Sequence, residues 1–299
     1  MMQFEWVDYR DTAQIDAMLD DPQWLIEQKM DGTRAVVVLR HGLPPVFLGR
    51  HGGPLKHTAA TQHLDRITAG LAGVQDLLDD GDAIQLDGEI MIQTGQFFVF
   101  DMPMMRLAGE DAITADDPFI LRRLAIETTL IVAPADSDVV RPVPGAADNK
   151  RAMFHRCERA GVEGVMFKHA DGKYLHGQRS KDVLKVKFVK TADVVVTAVD
   201  RRRNDAGREV GSIEFGVLAG PDVGWDGIEI VATEQRIKPI GRCSVIGKPH
   251  VERGDVIEVA YLYWTGGTTY QPRMVRVRDD KPVADCTADQ FRPYSREAV

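Results

Sequence analysis

Lysine 29 stands in the segment "EQKMDGTR" (residues 27–34), two positions before an Asp-Gly pair and between two apolar segments. A lysine amine in this place can act as a nucleophile toward a phosphorus atom. The amine attacks only when neutral, and its ordinary pKa is about 10.4. Neighbouring cations or a metal ion must therefore lower that pKa if attack is to occur near pH 7. An ordinary hairpin turn has the same spacing, so the segment alone leaves both interpretations open.

Two further lysines could supply the cations. Lys185 and Lys187 stand at i and i+2 in "DVLKVKF", so on a strand their side chains point to the same face. Like charges on one face are unfavourable unless an anion lies there, and a triphosphate would be such an anion. A solvated strand face is the simpler explanation of "KVK" taken alone.

Four carboxylates stand in strand-like segments or at their ends: Asp87, Glu89, Asp101 and Glu163. Asp87 and Glu89 share an i, i+2 spacing, and Glu163 comes just before an apolar run. Acids at strand ends can hold Mg²⁺, which is bound mainly through carboxylates and water and bridges phosphates. Taken singly, each acid also suits a turn or the protein surface.

The sequence excludes several other kinds of chemistry. There is no P-loop pattern, no G-x-S-x-G elbow, and the three cysteines (Cys157, Cys243 and Cys286) form no CxxC pair. The net charge of −8 indicates no global basic field. The N-terminal segment has no apolar run, and no stretch approaches the roughly 20 apolar residues of a membrane span. We therefore expect a cytoplasmic protein with reduced thiols, no zinc site and no membrane partner.

Periodicity places these residues on elements of a mixed first region. Helical spacing predicts helices in residues 11–21, 59–78, 117–133 and 146–162. Apolar, β-branched runs predict strands in residues 24–30, 33–42, 45–50, 83–92, 96–102, 164–170 and 182–190. The first two strands flank the Asp31-Gly32 turn, and a hairpin is expected at Thr94-Gly95.

The pattern changes after about residue 190. Short strand-like segments follow in residues 192–203, 210–220, 228–235 and 255–264, with little helical periodicity. This spacing predicts a small all-β barrel of about 110 residues. The basic run Arg201, Arg202 and Arg203 lies in it and is a candidate patch for binding a phosphate backbone, although a solvated strand end explains the run nearly as well.

The order of the motifs along the chain is similar to that of a known protein family. The series "KMDGTR", "LDGEI", "FVFDM", "EGVMFK", "VLKVK" and "RVRDDK" runs from residue 29 to residue 281. In this order it resembles the ATP-dependent DNA ligases of the covalent nucleotidyltransferase superfamily, in particular their minimal two-domain members. "LGRHGG" is similar to a further family element without its serine and asparagine, and Val183 stands where the family commonly has tryptophan.

The resemblance implies an α+β fold: an antiparallel-sheet-rich nucleotidyltransferase (adenylation) domain in residues 1–188, then an all-β OB-fold barrel in residues 189–299. It implies a monomeric enzyme that seals nicks in duplex DNA with ATP and Mg²⁺ or Mn²⁺, through AMP bound covalently to Lys29. An RNA ligase, an mRNA-capping guanylyltransferase and a non-catalytic nucleic-acid-binding module are the alternatives.

The resemblance also implies roles for individual residues. Six positions have catalytic roles. Lys29 is the nucleophile, and Lys185 and Lys187 bind the α-phosphate. Pyrophosphate is oriented by Arg278, Asp280 and Lys281. Cofactor-binding positions are Glu27, Asp31, Gly32, Arg34, Arg50, Glu89, Phe100 and Lys168. Phe100, or less favourably Phe98, stacks on adenine; Arg122 or Arg123 matches a helical arginine; Glu163 and Glu89 match metal-linked acids.

Overall fold

The computed structural model describes residues 1–133, 136, 138–219, 229–230 and 236–291. Contacts between Cα atoms divide this part of the chain into two compact units, Met1–Lys187 and a second unit that begins at Phe188. Each unit has its own hydrophobic core. No helix in the described residues is long and apolar enough to cross a membrane.

The first unit contains eleven described strands and six described helices. Its strands are β1 (Gln3–Val7), β2 (Trp24–Gln28), β3 (Thr33–Arg40), β4 (Leu43–Leu48), β5 (Ala83–Ile90), β6 (Phe97–Leu107), β7 (Glu110–Ile113), β8 (Val140–Pro142), β9 (Gly145–Ala146), β10 (Gly164–His169) and β11 (Arg179–Lys187). Its helices are α1 (Thr12–Asp20), α2 (Thr58–Thr61), α3 (Leu64–Gly70), α4 (Ala72–Gln75), α5 (Phe119–Val132) and α6 (Lys150–Ala160).

These strands form two sheets. One has the order β1-β11-β10-β2-β9, and the other has the order β4-β3-β5-β6-β7 with β8 paired to β6. Most pairs are antiparallel, while β1 with β11 and β6 with β8 are parallel. The second sheet buries the apolar side chains of β3, β5 and β6 against α3 to α5, because alternate residues of each strand point to the same face.

The Asp31-Gly32 turn does not join a hairpin. Strand β2 pairs with β10 and β9, while β3 pairs with β4 and β5. The two strands on either side of the turn therefore lie in different sheets, and the interpretation of "EQKMDGTR" as an ordinary hairpin is wrong. The Thr94-Gly95 hairpin between β5 and β6 is confirmed.

Three of the four predicted helices are confirmed. Asp11 caps α1 by accepting a hydrogen bond from the Gln14 amide at 3.1 Å. Pro118 stands at the N-cap of α5. Gly161 ends α6 in the left-handed conformation, at φ 73°, which glycine adopts without steric cost.

The single helix predicted for residues 59–78 is wrong, since this region forms the three short helices α2, α3 and α4. The first break lies beside His63, whose ring makes a hydrogen bond with the Ile92 carbonyl at 2.8 Å. The second follows Gly70, where an added Cβ would lie 3.0 Å from a Val139 methyl group. The apolar periodicity of the sequence is continuous here, but contacts with neighbouring segments accompany both breaks in the helix.

The second unit is all-β among its described residues, apart from two short 3₁₀ turns at Val283–Asp285 and Ala288–Gln290. Its strands are β12 (Lys190–Arg203), β13 (Glu209–Leu218), β14 (Glu229–Ile230), β15 (Arg236–Ser244), β16 (Val256–Tyr261) and β17 (Arg273–Val277). They form one antiparallel sheet in the order β14-β15-β13-β12-β16-β17. Most of the strand predicted for residues 228–235 lies outside the described residues.

A buried ion pair joins α5 to β6. Arg122 and Asp101 are each 1% exposed, and the guanidinium donates to both carboxylate oxygens at 2.7 and 3.2 Å. We expect Arg122→Met to lower the free energy of unfolding by about 3–5 kcal/mol, because it leaves a buried carboxylate without its partner. Urea unfolding measures this change.

The matched comparison replaces both partners. We expect Arg122→Met combined with Asp101→Leu to be less destabilised than Arg122→Met alone, since no buried charge is then left unpaired. Arg106→Ala, which removes one side of the exposed Arg106–Asp111 pair, should cause no measurable change. Equal stability of Arg122→Met and the wild type would contradict a structural role for this pair.

Candidate functional site

Strand register places Lys29 beside Glu163 and Lys187. In the antiparallel ladder, Gly164 is opposite Lys187 on β11. On the other side of β10, the Lys29 amide extends the pairing with β2 by donating to the Gly164 carbonyl at 3.0 Å. Glu163 immediately precedes Gly164, so residues 134 positions apart in the sequence meet at the end of β10.

Two glycines permit the close approach of backbone at this point. A Cβ on Gly164 would lie 2.0 Å from the Val186 carbonyl oxygen, and a Cβ on Gly32 would lie 2.2 Å from the Ile90 carbonyl oxygen. Any larger residue would push β10 away from β11, or the Lys29 turn away from β5. The glycine of the Lys-x-Asp-Gly segment is thus needed for contact between two sheets.

Glu163 holds both lysines. Its Oε2 is 2.5 Å from Lys29 Nζ and its Oε1 is 2.8 Å from Lys187 Nζ, while the carboxylate is only 4% exposed. Burial alone would raise the pKa of Glu163, but the two ammonium groups outweigh burial and lower it. Glu163 is therefore an ionised carboxylate between two cations.

The pKa of Lys29 is raised in the free protein. Burial would lower it, but the negative charges of Glu163, Glu89 and Asp31 outweigh burial. The sequence led us to expect neighbouring cations to lower this pKa, and in the free protein that expectation is wrong because carboxylates dominate the surroundings of Lys29. Its amine is held as an ammonium ion.

The pKa of Lys185, unlike that of Lys29, is lowered. Burial is the largest cause, followed by repulsion from Lys187, Lys29, Arg179 and Arg50. In the described part of the chain it forms no salt bridge with a carboxylate. Lys185 and Lys187 lie on the same face of β11, as their spacing predicts, with Val186 buried between them. This concentration of positive charge makes a site for an anion with several charges.

Glu89 completes the site from the other sheet. It accepts a hydrogen bond from the Gly32 amide at 3.2 Å. Its pKa is raised to about 7, chiefly by burial and also by the charge of Glu163. Two carboxylates that disfavour each other's ionisation gain from a shared cation, and Mg²⁺ in phosphate sites commonly uses one or two carboxylates with water and substrate oxygens. Glu89 and Glu163 therefore fit a magnesium ion by their donor chemistry.

The other two candidate acids serve the fold. Asp87 is fully buried and binds Arg34 through both oxygens, at 3.0 and 2.6 Å. Asp101 is held by Arg122, as described above. Neither acid is among the metal-linked positions that the resemblance implies, and an arginine already pairs with each of them. The neighbour of Arg122 on α5, Arg123, donates to Glu27 at 3.0 Å instead.

Phe100 forms an aromatic wall next to these charges. The Lys168 ammonium is 5.1 Å from the ring centroid and 2.7 Å from Glu27 Oε2, and it donates to the Phe100 carbonyl at 2.6 Å. Phe98 is instead buried with Met30 and other apolar side chains. Of the two predicted aromatic candidates, only Phe100 faces the cleft.

These side chains line one cleft of about 370 Å³ in the first unit. Nine of the predicted positions contribute to its wall: Lys29, Lys185, Lys187, Glu27, Arg34, Arg50, Glu89, Phe100 and Lys168. Asp31 and Gly32 flank Lys29, and Glu163 contacts it. The cleft is also lined by Arg179, His51 and the first four residues. These positions were not predicted, because no local motif in the sequence gives a signal for them.

The remaining predicted residues lie in the second unit. Arg278 binds Asp193 at 2.7 Å and Asp280 at 2.8 Å, and Lys281 is 3.7 Å from Asp193. Salt bridges thus join the "RDDK" residues to β12.

The three consecutive arginines of β12 have different surroundings. Arg201 bonds with Glu209 at 2.7 Å and with the Pro249 carbonyl at 2.9 Å. Arg203 donates to the Gly207 carbonyl at 2.8 Å, while Arg202 is 72% exposed. Since alternate residues of a strand point to opposite faces, the run divides between two faces. Arg202, which is 3.7 Å from Asp200, and Arg203 are both exposed.

Sequence comparison finds proteins that are similar to this chain. Residues 93–187 match the family model of the ATP dependent DNA ligase domain. A DNA ligase of Methanocorpusculum labreanum is 30% identical over 274 residues, which cover 75% of this chain and 48% of that protein. The chain spans about half the length of the curated relatives it matches.

Two solved structures share the fold. The ligase domain of LigD from M. tuberculosis has a TM-score of 0.51 at 20% identity, with 96% of this chain and 97% of that chain covered. A Lig E DNA ligase, described as binding DNA with a minimal scaffold, has a TM-score of 0.55 at 16% identity, with 93% and 100% covered. The predicted α+β architecture of a nucleotidyltransferase domain and an OB-fold is confirmed.

Proposed function

We propose, from the premise that this chain carries the ATP-dependent DNA ligase domain, that it seals nicks in duplex DNA. The substrate ends are a 5′-phosphate and a 3′-hydroxyl, and ATP supplies the energy through AMP bound to Lys29. The single observation that carries this proposal is the contact of both Lys29 and Lys187 with the carboxylate of Glu163, beside a cleft that the two lysines line together with Lys185 and Phe100.

The reaction has three in-line transfers at phosphorus. The Lys29 ammonium first loses one proton to become the neutral amine. Its nitrogen then forms a bond with the α-phosphorus of ATP as the bond to pyrophosphate breaks, and a second proton leaves the nitrogen, so that one N–H remains in lysyl-AMP. The AMP group then passes from Lys29 to the 5′-phosphate at the nick. Finally the 3′-hydroxyl attacks that phosphate, loses its proton and releases AMP. Positioning and electrostatic stabilisation supply most of the catalysis in such transfers.

The cleft residues have complementary tasks in this proposal. Lys185 and Lys187 bind the α-phosphate and offset the charge that develops on it. Phe100 supplies a ring face for adenine, since aromatic rings stack on bases. A magnesium ion held by Glu89 and Glu163 would neutralise phosphate charge when bound. Arg278, Asp280 and Lys281 orient the pyrophosphate group that leaves in the first step.

We assign residues 1–188 to the adenylation domain and residues 189–299 to the OB-fold domain. The DNA partner is a nicked duplex, and Arg202 and Arg203 are the residues of the basic run that we expect to contact its backbone, because both are exposed.

Transfer of label from the α-phosphate tests this function. The protein is incubated with α-labelled ATP and, separately, with α-labelled GTP, and then with nicked DNA/DNA and RNA/DNA duplexes. We expect covalent label from ATP and release of that label as AMP on sealing of the DNA nick. Label from GTP alone would indicate a guanylyltransferase, preferential sealing of RNA would indicate an RNA ligase, and no label would reject the enzyme proposal.

Arg278 offers a prediction specific to one step. We expect Arg278→Ala to slow formation of lysyl-AMP by about 100-fold or more, a typical cost of removing a group that stabilises transition-state charge. Sealing of a nick that already carries AMP should change by less than about threefold, since no pyrophosphate leaves in that step.

The matched control for this prediction is Arg276→Ala. Arg276 lies on β17, two residues before Arg278, and pairs with Glu258 at 2.7 Å. This variant should retain both activities. An equal loss of both steps in Arg278→Ala would show that Arg278 does not act on the leaving group.

A further inference from the structure

The first four residues of the chain, which lead into strand β1, form a wall of the nucleotide cleft. Met1, Met2, Gln3 and Phe4 all line it, although none of them belongs to a motif. Strand β1 is at the edge of its sheet and pairs in parallel with β11, with Gln3 opposite Arg179. The strand that carries Lys185 and Lys187 therefore brings the N-terminal segment to the cleft.

Two residues of this segment contact Arg34. The Met2 carbonyl accepts a hydrogen bond from Arg34 Nη1 at 2.6 Å. The centroid of the Phe4 ring is 4.6 Å from Arg34 Cζ, and that of Phe100 is 5.3 Å from the same atom. An aromatic face attracts a cation through its quadrupole, so the guanidinium lies between two rings that cross at 79°.

A closed set of hydrogen bonds supports this arrangement. Asp87 binds the Nε and Nη2 side of Arg34 and accepts a bond from the Tyr174 hydroxyl at 2.6 Å. The Met2 amide in turn donates to the Tyr174 oxygen at 3.4 Å. Asp87, Tyr174 and Met2 are buried, and buried, fully satisfied networks hold their members in one geometry.

We propose that the N-terminal segment that leads into β1 is a positioning element of the active site, in which Met2 and Phe4 fix the Arg34 guanidinium at the nucleotide. Asp87 neutralises Arg34 from one side, and the N-terminal segment closes the other side and prevents the guanidinium from turning away from the cleft. The inference rests on the proposed function only in taking the ligand to be ATP. Phe4 acts through Arg34 and is a positioning residue.

A double-mutant cycle between Phe4 and Arg34 tests this proposal. The readout is the Kd of α,β-methylene-ATP, which cannot transfer AMP, measured by titration calorimetry on the full chain. We expect Arg34→Ala to weaken binding by more than about tenfold. Phe4→Leu keeps an apolar side chain but removes the ring, and should weaken binding by about three- to fivefold. Phe4→Leu should cost less than about twofold when Arg34 is already alanine.

Two further variants separate positioning from a general effect on folding. Phe4→Tyr keeps the ring and should restore wild-type binding. Trp6→Leu removes another aromatic ring from β1, where Trp6 is 47% exposed, and should leave binding unchanged. A full Phe4→Leu effect in the Arg34→Ala background, or no effect in the wild type, would overturn the proposal.

The result of the double-mutant cycle does not depend on catalysis, because the measured quantity is the Kd of an analogue that cannot transfer AMP. A wild-type protein that binds the analogue but forms no lysyl-AMP would reject the proposed function, while the cycle would still decide the role of Phe4. A wild-type protein that labels normally, with additive variants in the cycle, would reject the positioning role alone. Absence of analogue binding to the wild type would overturn both proposals.

Discussion

Lys29→Ala is expected to abolish covalent attachment of AMP to the protein, because Lys29 is the nucleophile of the first transfer in the proposed reaction. Lys29→Arg should be equally inactive, since a guanidinium stays protonated at any pH at which the protein is folded. Mass spectrometry of the protein after incubation with ATP should show the wild type with one added AMP and both variants without it. Tryptic peptides should place the AMP on Lys29.

A control variant and a second substrate distinguish loss of the nucleophile from loss of the later steps. Lys173→Ala, which removes an exposed lysine paired with Asp116, should label like the wild type. Both Lys29 variants should still join a nick that already carries AMP on its 5′-phosphate, because the amine has no part in the final attack. AMP found on another lysine, or label retained in Lys29→Ala, would refute Lys29 as the nucleophile.

Lys185→Met is expected to lower the activity of the protein and to raise its stability. In the proposed reaction Lys185 binds the α-phosphate, so its removal should slow lysyl-AMP formation by about 10²–10³-fold. In the free protein Lys185 is repelled by Lys187, Lys29, Arg179 and Arg50. The methionine keeps the apolar stem and removes this repulsion, and we expect Tm to rise by about 1–2 °C. Single-turnover labelling and calorimetric unfolding measure the two effects.

The stability gain should depend on pH in a defined direction. The pKa of Lys185 is lowered in the folded protein, so the unfolded chain binds the proton more tightly. The lysine therefore destabilises the fold most at neutral pH, and this penalty shrinks as pH rises toward the ordinary lysine pKa. The difference in Tm between Lys185→Met and the wild type should decrease accordingly from pH 7 to pH 10.

Lys181→Met is the matched control for this experiment. Lys181 is an exposed residue of the same strand, β11, and lies outside the lining of the cleft. This variant should retain activity and show no stability gain. A loss of stability in Lys185→Met at neutral pH would contradict the electrostatic description of the cleft.

The sequence by itself determined most of the local structure and the chemical types present. Local periodicity sufficed for α1, α5 and α6 and for most strands, because a helix or strand buries one face and its residue types repeat accordingly. The i, i+2 spacing of Lys185 and Lys187 also sufficed to place both on one face of β11. The order of the motifs identified the family.

Only the tertiary structure decided which charges meet. Asp87, Glu89, Asp101 and Glu163 look alike in the sequence, but Asp87 and Asp101 are neutralised by arginines, while Glu89 and Glu163 face Lys29. The pairing of β2 with β10, and of β3 with β5, determines this division. Electrostatic effects depend on distance and burial, which local sequence does not specify. For the same reason the raised pKa of Lys29 and the contact of Phe4 with Arg34 could not be predicted from the sequence.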